Sequence, residues 1–303
     1  ILLLTVSGVA ALIPASEMAV CLGNWLVCKV KKPSFFPRLE LKDGIPDSLR
    51  TMVVIPALLT DEKRVVQLLE NMENHYLANR EDNLYFALIG AFSDSRGPKK
   101  ENDASVLLAA SEGVKALNLK YAKEGRDLFY FYNRLRKFSE CDNKWIGWER
   151  KRGALMEFNE LLLGSQETSF IFYSNGKLPA DDIKYIITLD ADTMLPFGMA
   201  KKMIGTMAHP LNAPVVDPKR GIVTEGYGVM QPRISFDIES ANRSVFSRIY
   251  TGQEGIDPYS SAISDVYQDL FGEGIFTGKG IYELKTFHNV LKDAIPENAV
   301  LSH

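Results

Sequence analysis

Cysteine is scarce in this sequence. The 303 residues hold three cysteines, Cys21, Cys28 and Cys141, too few and too odd in number for a disulfide framework. Cys21 and Cys28 lie seven residues apart with no second Cys/His pair, so the spacing predicts no zinc site. We therefore expect small, buried cysteine side chains in a reducing compartment.

An excess of charge of either sign is also missing. Thirty-five basic residues stand against 38 acidic ones, a formal net charge of −3, which argues against a nucleic-acid-binding surface. With 46% hydrophobic and 24% charged residues, the composition excludes a disordered, collagen-like or multi-span membrane protein. The length allows two ordinary domains or one large α/β domain with insertions.

Charge is nearly absent from residues 1–28, where Glu17 is the single charged residue. The apolar run 1–13 is shorter than the roughly 20 residues that span a bilayer, and Pro14 interrupts it, so Ser16 could cap a new helix. An apolar stretch and then three lysines follow, the pattern of a membrane segment with everything downstream in the cytosol. A buried helix of a soluble protein is the alternative.

These patterns predict three regions. Residues 1–28 would form a membrane-associated or transmembrane helix, 29–50 a linker, and 51–303 the main domain. Because the chain opens inside an apolar run and stops abruptly at His303, we expect a segment of a longer protein that is cut within its first and last regions.

Apolar runs alternate with helical stretches in the main domain. The predicted strands are 52–59, 84–92, 128–132 and 183–189, and the predicted helices are 61–79, 102–124 and 148–163. Nearly continuous apolar strands that alternate with helices indicate a largely parallel sheet covered on both faces.

Carboxylates follow two of these strands, where ligands bind in such sheets. Asp94 follows the second run, although a turn-forming Asp explains it equally well. Asp190 and Asp192 follow the last run, and two carboxylates so spaced can share Mg²⁺ with a diphosphate. Haloacid dehalogenase-type phosphohydrolases also have such a motif. They place it on their first strand and need Thr or Val where this chain has Met194.

Basic residues are concentrated before the third predicted helix. Between Arg126 and Arg152 eight basic residues stand against four acidic ones, a local charge of +4 that ends where the helix begins. Cations beside a helix N-terminus can hold a diphosphate, and a solvated basic face is the alternative.

Glycine is dense near the end of the chain. Gly272, Gly274, Gly278 and Gly280 fall within nine residues, which indicates turns with positive φ or a close approach of the backbone to a ligand. The spacing matches neither a Walker loop nor a Rossmann fingerprint.

Taken together, these segments resemble the glycosyltransferase domain of bacterial cyclic β-1,2-glucan synthases, glycosyltransferase family 84. The most specific segments are TLDADT (188–193), IGTMAHPLN (204–212), GIDPY (255–259) and SDVYQDL (264–270), which runs into the glycine loop. The resemblance implies a GT-A-type nucleotide-sugar fold at the cytoplasmic face of the bacterial inner membrane. It also implies UDP-glucose as donor, a divalent metal (Mg²⁺ or Mn²⁺), further domains in the full-length protein, and inverting elongation of a protein-linked β-1,2-glucan.

The resemblance also implies roles for individual residues. Pro56 would end the first strand under the uridine, and Asp94 would meet the uracil or ribose. Lys151 and Arg152 would reach the diphosphate. Asp190 would bind the nucleotide sugar and, with Asp192, the metal. The four glycines would form an acceptor loop.

Two catalytic roles are expected near the end of the chain. In related enzymes the general base is the aspartate of an S-H-D string, and here Ser302 and His303 close the sequence, so the base is expected to lie beyond it. Asp265, Asp269 and Glu273 are possible replacements.

A protein-linked glucan also needs an attachment residue, and a phenol is acidic enough to serve. Tyr259 is the predicted attachment residue, with Tyr267 and Tyr282 as rivals. The alternatives to this function are a processive glucan synthase of different linkage and a non-catalytic scaffold that binds nucleotide sugars.

Overall fold

The computed structural model describes most of the chain. The described residues are 2–31, 35–121, 126–165, 167–172, 182–234, 244–245, 270–272, 274 and 276–297. The chain divides into two compact units, the first formed by Ile1–Phe36 with Arg233–Ile275 and the second by Pro37–Pro232 with Phe276–His303. The region boundaries predicted above stay a prediction.

Several predicted residues lie outside the described ones. They are Tyr259, Asp265, Tyr267, Asp269, Glu273, Ser302 and His303.

A single long helix, α1 (Leu2–Val30), makes up most of the described part of the first unit. It runs through Pro14, so the interruption and the new helix start at Ser16 were wrong predictions. Residues 5–27 form a stretch that is long and apolar enough to cross a membrane, and no side chain described within it is buried. Length and composition alone are weak evidence for a membrane span.

The second unit contains the sheets. The strands of its described part are β1 (Thr51–Leu59), β2 (Leu84–Phe92), β3 (Phe129–Arg134), β4 (Lys137–Ser139), β5 (Lys144–Ile146), β6 (Phe170–Phe172), β7 (Tyr185–Thr188), β8 (Val215–Asp217), β9 (Ile222–Glu225), β10 (Val229–Met230) and β11 (Gly280–Glu283). All four predicted strands are present, so the mixed α/β prediction is confirmed.

Seven strands form the main sheet in the order β10-β11-β7-β1-β2-β3-β6. Strands β7, β1, β2 and β3 are parallel, whereas β6, β11 and β10 pair antiparallel at the two sides. The chain builds outward from β1 through β2 to β3 and then returns to place β7 on the other side of β1. In an open α/β sheet the crevice at such a reversal is the expected ligand site.

Helices cover this sheet. They are α2 (Glu62–Ala78), α3 (Asp103–Tyr121), α4 (Arg150–Leu162), α5 (Met199–Met207) and α6 (Leu284–Leu291), with 3₁₀ turns at Asp47–Leu49 and Pro210–Asn212. Helix α2 packs on α3, β1 and β2, and α4 packs on β1 and α6. Every residue of β3 and β7 is buried, as expected when both faces of a parallel sheet are covered.

Two smaller predictions need correction. Pro56 does not end the first strand, which continues to Leu59. Proline is tolerated there because β7 pairs with β1 only from Thr51 to Val54, so no neighbour on that side needs the missing N–H. Cys141 is exposed rather than buried, since it lies in the turn between β4 and β5.

Candidate functional site

Asp190 lies just beyond the carboxyl end of β7, beside the crevice where the sheet reverses. Lys151 of α4 contacts its Oδ1 atom, and Lys279 contacts its Oδ2 atom at 3.1 Å. All three side chains are partly exposed. Burial raises the pKa of Asp190, but hydrogen bonds and charge from the two lysines outweigh it and hold that pKa below its usual value. Asp190 is therefore an anion held between two cations.

The glycine loop supplies the second lysine. Gly280 of β11 pairs with Thr188 of β7, so Lys279, one residue earlier, falls beside Asp190. The Gly278 carbonyl accepts hydrogen bonds from Lys151 Nζ at 2.9 Å and from Thr188 Oγ1 at 3.0 Å. We call Lys151, Asp190, Lys279, Gly278 and Thr188 the strand-end cluster.

Asp94 lies just after β2, and its carboxylate binds Arg150, the residue that precedes Lys151. The guanidinium of Arg150 binds it through two contacts, one of them from Nη2 to Oδ2 at 2.9 Å. These hydrogen bonds and the charge of Arg150 lower the pKa of Asp94. Since Arg150 and Lys151 are adjacent, Asp94 and Asp190 are tied to the same helix start.

That helix start is a strained turn. Glu149 and Arg150 both have positive φ, 46° and 52°, the left-handed region that non-glycine residues rarely adopt. Gly153 allows the tight fold-back, because a Cβ at this position would lie 2.0 Å from the Trp148 carbonyl oxygen. Such strain persists only where surrounding contacts hold it, and it is frequent at ligand sites.

Arg134 is a buried side chain that binds the backbone of this turn. Its guanidinium donates to the carbonyls of Trp148 (2.7 Å) and Arg150 (3.1 Å) and, through Nε, to Glu157 Oε2 at 2.8 Å. The Arg134 side chain is 0% exposed and that of Glu157 is 6% exposed. A guanidinium is suited to this position because its several N–H donors can be satisfied at once.

Glu157 receives two further donors. Ser169 Oγ donates to it at 2.5 Å and Lys137 Nζ at 3.0 Å. Burial raises the pKa of Glu157, but these donors and Arg134 outweigh it and keep the carboxyl below its usual pKa. We call Arg134, Glu157, Lys137 and Ser169 the buried cluster; it supports the turn that carries Arg150 and Lys151.

A second buried arginine fixes the loop after β2. Arg136 forms a two-pronged contact with Asp103 at 2.6 and 2.9 Å, and it donates to the Ser93 carbonyl at 2.8 Å. Ser93 immediately precedes Asp94. The backbone around Asp94 is thus anchored from the end of β3.

Arg152 points to different partners. It contacts the carboxylate of Glu149 and donates to the Ile295 carbonyl at 3.1 Å. Its proposed role at the diphosphate stays a prediction, while Lys151 is the neighbour that the fold brings to Asp190.

The basic stretch is neither a free patch nor a solvated face. Six of its side chains form ion pairs: Arg134 and Lys137 with Glu157, Arg136 with Asp103, Arg150 with Asp94, Lys151 with Asp190 and Arg152 with Glu149. Four of the five carboxylates lie outside the stretch, so its local charge is neutralised by tertiary contacts.

The cluster offers a divalent metal a limited set of ligands. Asp190 already attracts two cations, and Asp192 is exposed two residues later, with no hydrogen bond or ion pair in the described part of the chain. Two carboxylates suit Mg²⁺ when a diphosphate completes its shell. No group of three metal-ligating side chains occurs among the described residues. The residues fit a metal that arrives with a nucleotide, provided that the lysines give way.

The remaining predicted residues are placed as follows. Pro56 lies within β1, Gly272 and Gly274 belong to the first unit, and Gly278 and Gly280 belong to the second. Tyr282, one rival attachment residue, is fully buried, and its hydroxyl donates to Asn159 Oδ1 at 2.8 Å. A glucosyl donor cannot reach a hydroxyl so placed.

Three important side chains were missed from sequence: Lys279, Arg150 and Arg134. A lysine between two glycines was a visible signal for Lys279, since small neighbours leave its side chain room to reach a ligand. Arg150 is adjacent to Lys151 and Arg152, the two basic residues with a predicted role at the diphosphate. No local signal identified Arg134, because its role depends on contacts with a helix that begins 16 residues later.

No known protein-family profile matches the chain. Among solved structures, a trehalose-6-phosphate synthase studied with bisubstrate glycomimetics is 12% identical and aligns over 36% of this chain and 23% of its own, with a TM-score of 0.20. A score this low carries no argument about fold or function.

A curated relative gives a much stronger match. The cyclic β-(1,2)-glucan synthase NdvB of Rhizobium meliloti (strain 1021) is 42% identical over 292 residues. The alignment covers 96% of this chain and 10% of that protein, so the chain spans about a tenth of the relative's length. Because this identity extends over nearly its whole length, the chain is homologous to one segment of the cyclic β-(1,2)-glucan synthases, the family that its motifs resemble.

Proposed function

We propose that this chain is the donor-binding part of a glucosyltransferase that uses UDP-glucose to elongate a protein-linked β-1,2-glucan with inversion. The observation that carries the proposal is the 42% identity with a cyclic β-(1,2)-glucan synthase over 96% of the chain. The strand-end cluster supports it, because a carboxylate and two lysines meet at the crevice where an open α/β sheet binds ligands. The second unit is then a GT-A-type domain.

In this proposal different residues of the site bind different parts of the nucleotide-sugar donor. Pro56 lies under the uridine, and Asp94, oriented by Arg150, accepts hydrogen bonds from the uracil or ribose. Lys151 binds the diphosphate from the start of α4, with Arg152 beside it. Positive groups at a helix start are well placed for phosphate.

Asp190 and Asp192 would hold a divalent metal, Mg²⁺ or Mn²⁺. When bound, the metal supplies positive charge that neutralises the departing diphosphate. The ammonium group of Lys151, beside Asp190, contributes further positive charge next to the diphosphate. We assign no general base to the described residues.

The membrane and the acceptor complete the proposal. Helix α1 would anchor the domain at the cytoplasmic face of the bacterial inner membrane, since residues 5–27 are long and apolar enough to cross it. The glycines at 272–280 would border the growing glucan, and Tyr259 would carry its first glucose. Further domains of the full-length protein would complete the synthesis.

The test is transfer of radiolabelled glucose from UDP-glucose to protein in membranes that contain the full-length protein. Asp190→Ala combined with Asp192→Ala is expected to abolish labelling, and Asp217→Ala, in the separate β8–β9 hairpin, is expected to preserve it. Tyr259→Phe is expected to prevent label from remaining attached to protein.

Each other outcome contradicts one part of the proposal. If labelling survives the double substitution, this segment is a scaffold and another part of the full-length protein transfers the glucose. Label that stays attached to the Tyr259→Phe protein would exclude Tyr259 as the attachment residue. A linkage other than β-1,2 in the product would favour a different processive glucan synthase.

A further inference from the structure

Both oxygens of the Asp190 carboxylate are already taken by lysine ammonium groups. Lys151 contacts one and Lys279 contacts the other at 3.1 Å. This arrangement conflicts with direct metal binding at Asp190, because a divalent cation beside two ammonium groups would meet repulsion from like charges. Metal and lysines therefore compete for one carboxylate.

Both lysines can leave Asp190 at small cost. Among the described residues Lys279 forms an ion pair only with Asp190, and its side chain is partly exposed to water. Lys151 also donates to the Gly278 carbonyl, but that carbonyl keeps a second donor, Thr188 Oγ1, at 3.0 Å. Moving either ammonium group leaves no buried acceptor of the cluster without a partner.

The position of the backbone around Lys279 is set by strand pairing and by close packing at the neighbouring glycines. Gly278 has φ +81°, and a Cβ on Gly280 would lie 2.3 Å from the Met230 carbonyl oxygen. Together with the pairing of Gly280 and Thr188, this fixes the Cα of Lys279 beside the end of β7. Its side chain can therefore reach either Asp190 or a ligand held in front of it.

We infer that Lys279 is a diphosphate-binding residue and that Lys151 and Lys279 gate the metal site. In the free protein they occupy Asp190 and weaken metal binding. An arriving nucleotide diphosphate draws both ammonium groups onto its phosphate oxygens, which frees Asp190 for the metal. Nucleotide and metal then bind with positive coupling, which by thermodynamic linkage acts equally in both directions. The inference rests on the proposed nucleotide site.

The test measures two affinities with opposite expected changes. Mn²⁺ binding without nucleotide is followed by the electron paramagnetic resonance signal of free Mn²⁺, and UDP binding without metal is followed by calorimetry in EDTA. Lys279→Met is expected to tighten Mn²⁺ binding about fivefold or more and to weaken UDP binding by a similar factor. Lys151→Met should shift both affinities in the same directions, so the test does not depend on one variant.

Two controls separate gating from general disturbance. Lys279→Arg keeps the charge and should return both affinities towards those of the unaltered chain. Lys285→Met removes an exposed lysine six residues further on and should change neither. A simple loss of folding would weaken both ligands together, which is the opposite of the expected pattern for Mn²⁺.

The outcomes also distinguish this inference from the proposed function. If UDP binds the unaltered chain but neither lysine substitution tightens Mn²⁺ binding, the gating inference is overturned and the nucleotide site stands. If the unaltered chain does not bind UDP at all, the proposed function fails and the inference fails with it.

Discussion

The buried cluster and the strand-end cluster both contact the start of helix α4, but they differ in how far their charged side chains are exposed to water. In the buried cluster, Arg134 and Glu157 are almost completely shielded from water and also bind backbone carbonyls and a hydroxyl. In the strand-end cluster, Lys151, Asp190 and Lys279 are each between 23% and 33% exposed. Shielded charges that have lost water must keep their partners, whereas partly hydrated ones can exchange them.

The difference separates support from binding. The buried cluster holds the strained backbone at Glu149 and Arg150, and the strand-end cluster uses the side chain that this backbone presents. The sequence region 126–152 contributes to both, so its basic character alone does not reveal which cation does which.

The largest effect is expected when the buried cluster is broken. Arg134→Met would leave Glu157 buried with only Lys137 and Ser169, and would release the carbonyls of the turn. We expect the free energy of unfolding to fall by about 3 kcal/mol, measured by chemical denaturation. The Lys137 side chain binds the same carboxylate but is 53% exposed, so Lys137→Met should lower the free energy of unfolding by less than about 1 kcal/mol. Equal losses in the two variants would contradict the distinction.

An intermediate loss in the free energy of unfolding is expected on acidification to pH 5, where both clusters stay charged and His75 is the group that responds. Burial lowers the pKa of His75 to about 4, and its Nδ1 accepts the Leu195 N–H, in the segment that follows Asp192. The unfolded histidine takes up a proton below about pH 6.5 and the folded one does not until about pH 4. The stability that neutral His75 contributes is therefore fully present above pH 6.5, and it is lost as the pH falls towards 4.

The loss at pH 5 relative to pH 7 is expected to be about 2 kcal/mol in the free energy of unfolding. The carboxylates of the two clusters contribute little in this window. The pKa values of Asp190 and Glu157 are lowered by folding, so the stability that they add is lost only as the pH falls below the unfolded pKa of a carboxyl group, about 4. His75→Gln should flatten the pH dependence between 7 and 5, and His209→Gln should not. An unchanged slope in the His75 variant would assign the loss to another group.

The smallest effect on stability is expected at the strand ends. Asp94→Ala removes a partly exposed carboxylate whose partner, Arg150, can turn to water, so unfolding should change by less than about 1 kcal/mol. UDP affinity should nevertheless fall about tenfold, because a hydrogen bond to a charged group is lost. Calorimetry with UDP measures this, and Asp217→Ala is the control. A stability loss as large as that of Arg134→Met would make Asp94 part of the support instead.

Much of the second unit could be predicted from local pattern. The runs at 52–59 and 84–92 became β1 and β2 within one residue, because a buried parallel strand must be apolar on both faces. Asp94 and Asp190 could be placed at strand ends for the same reason. By contrast, Pro14 predicts a break in the first apolar segment, whereas helix α1 continues past it to Val30.

The sequence by itself determined the alternation of strands and helices, the carboxylates that follow two strands, and the homology to cyclic β-(1,2)-glucan synthases. These depend on neighbouring residues or on whole-segment similarity. Only the tertiary structure decided which cation meets which carboxylate. Lys151 and Lys279 are 128 residues apart in sequence, and they share Asp190 because β11 pairs with β7 beside the start of α4. Ion pairs form between side chains that folding brings within a few ångströms, and no local pattern encodes that distance.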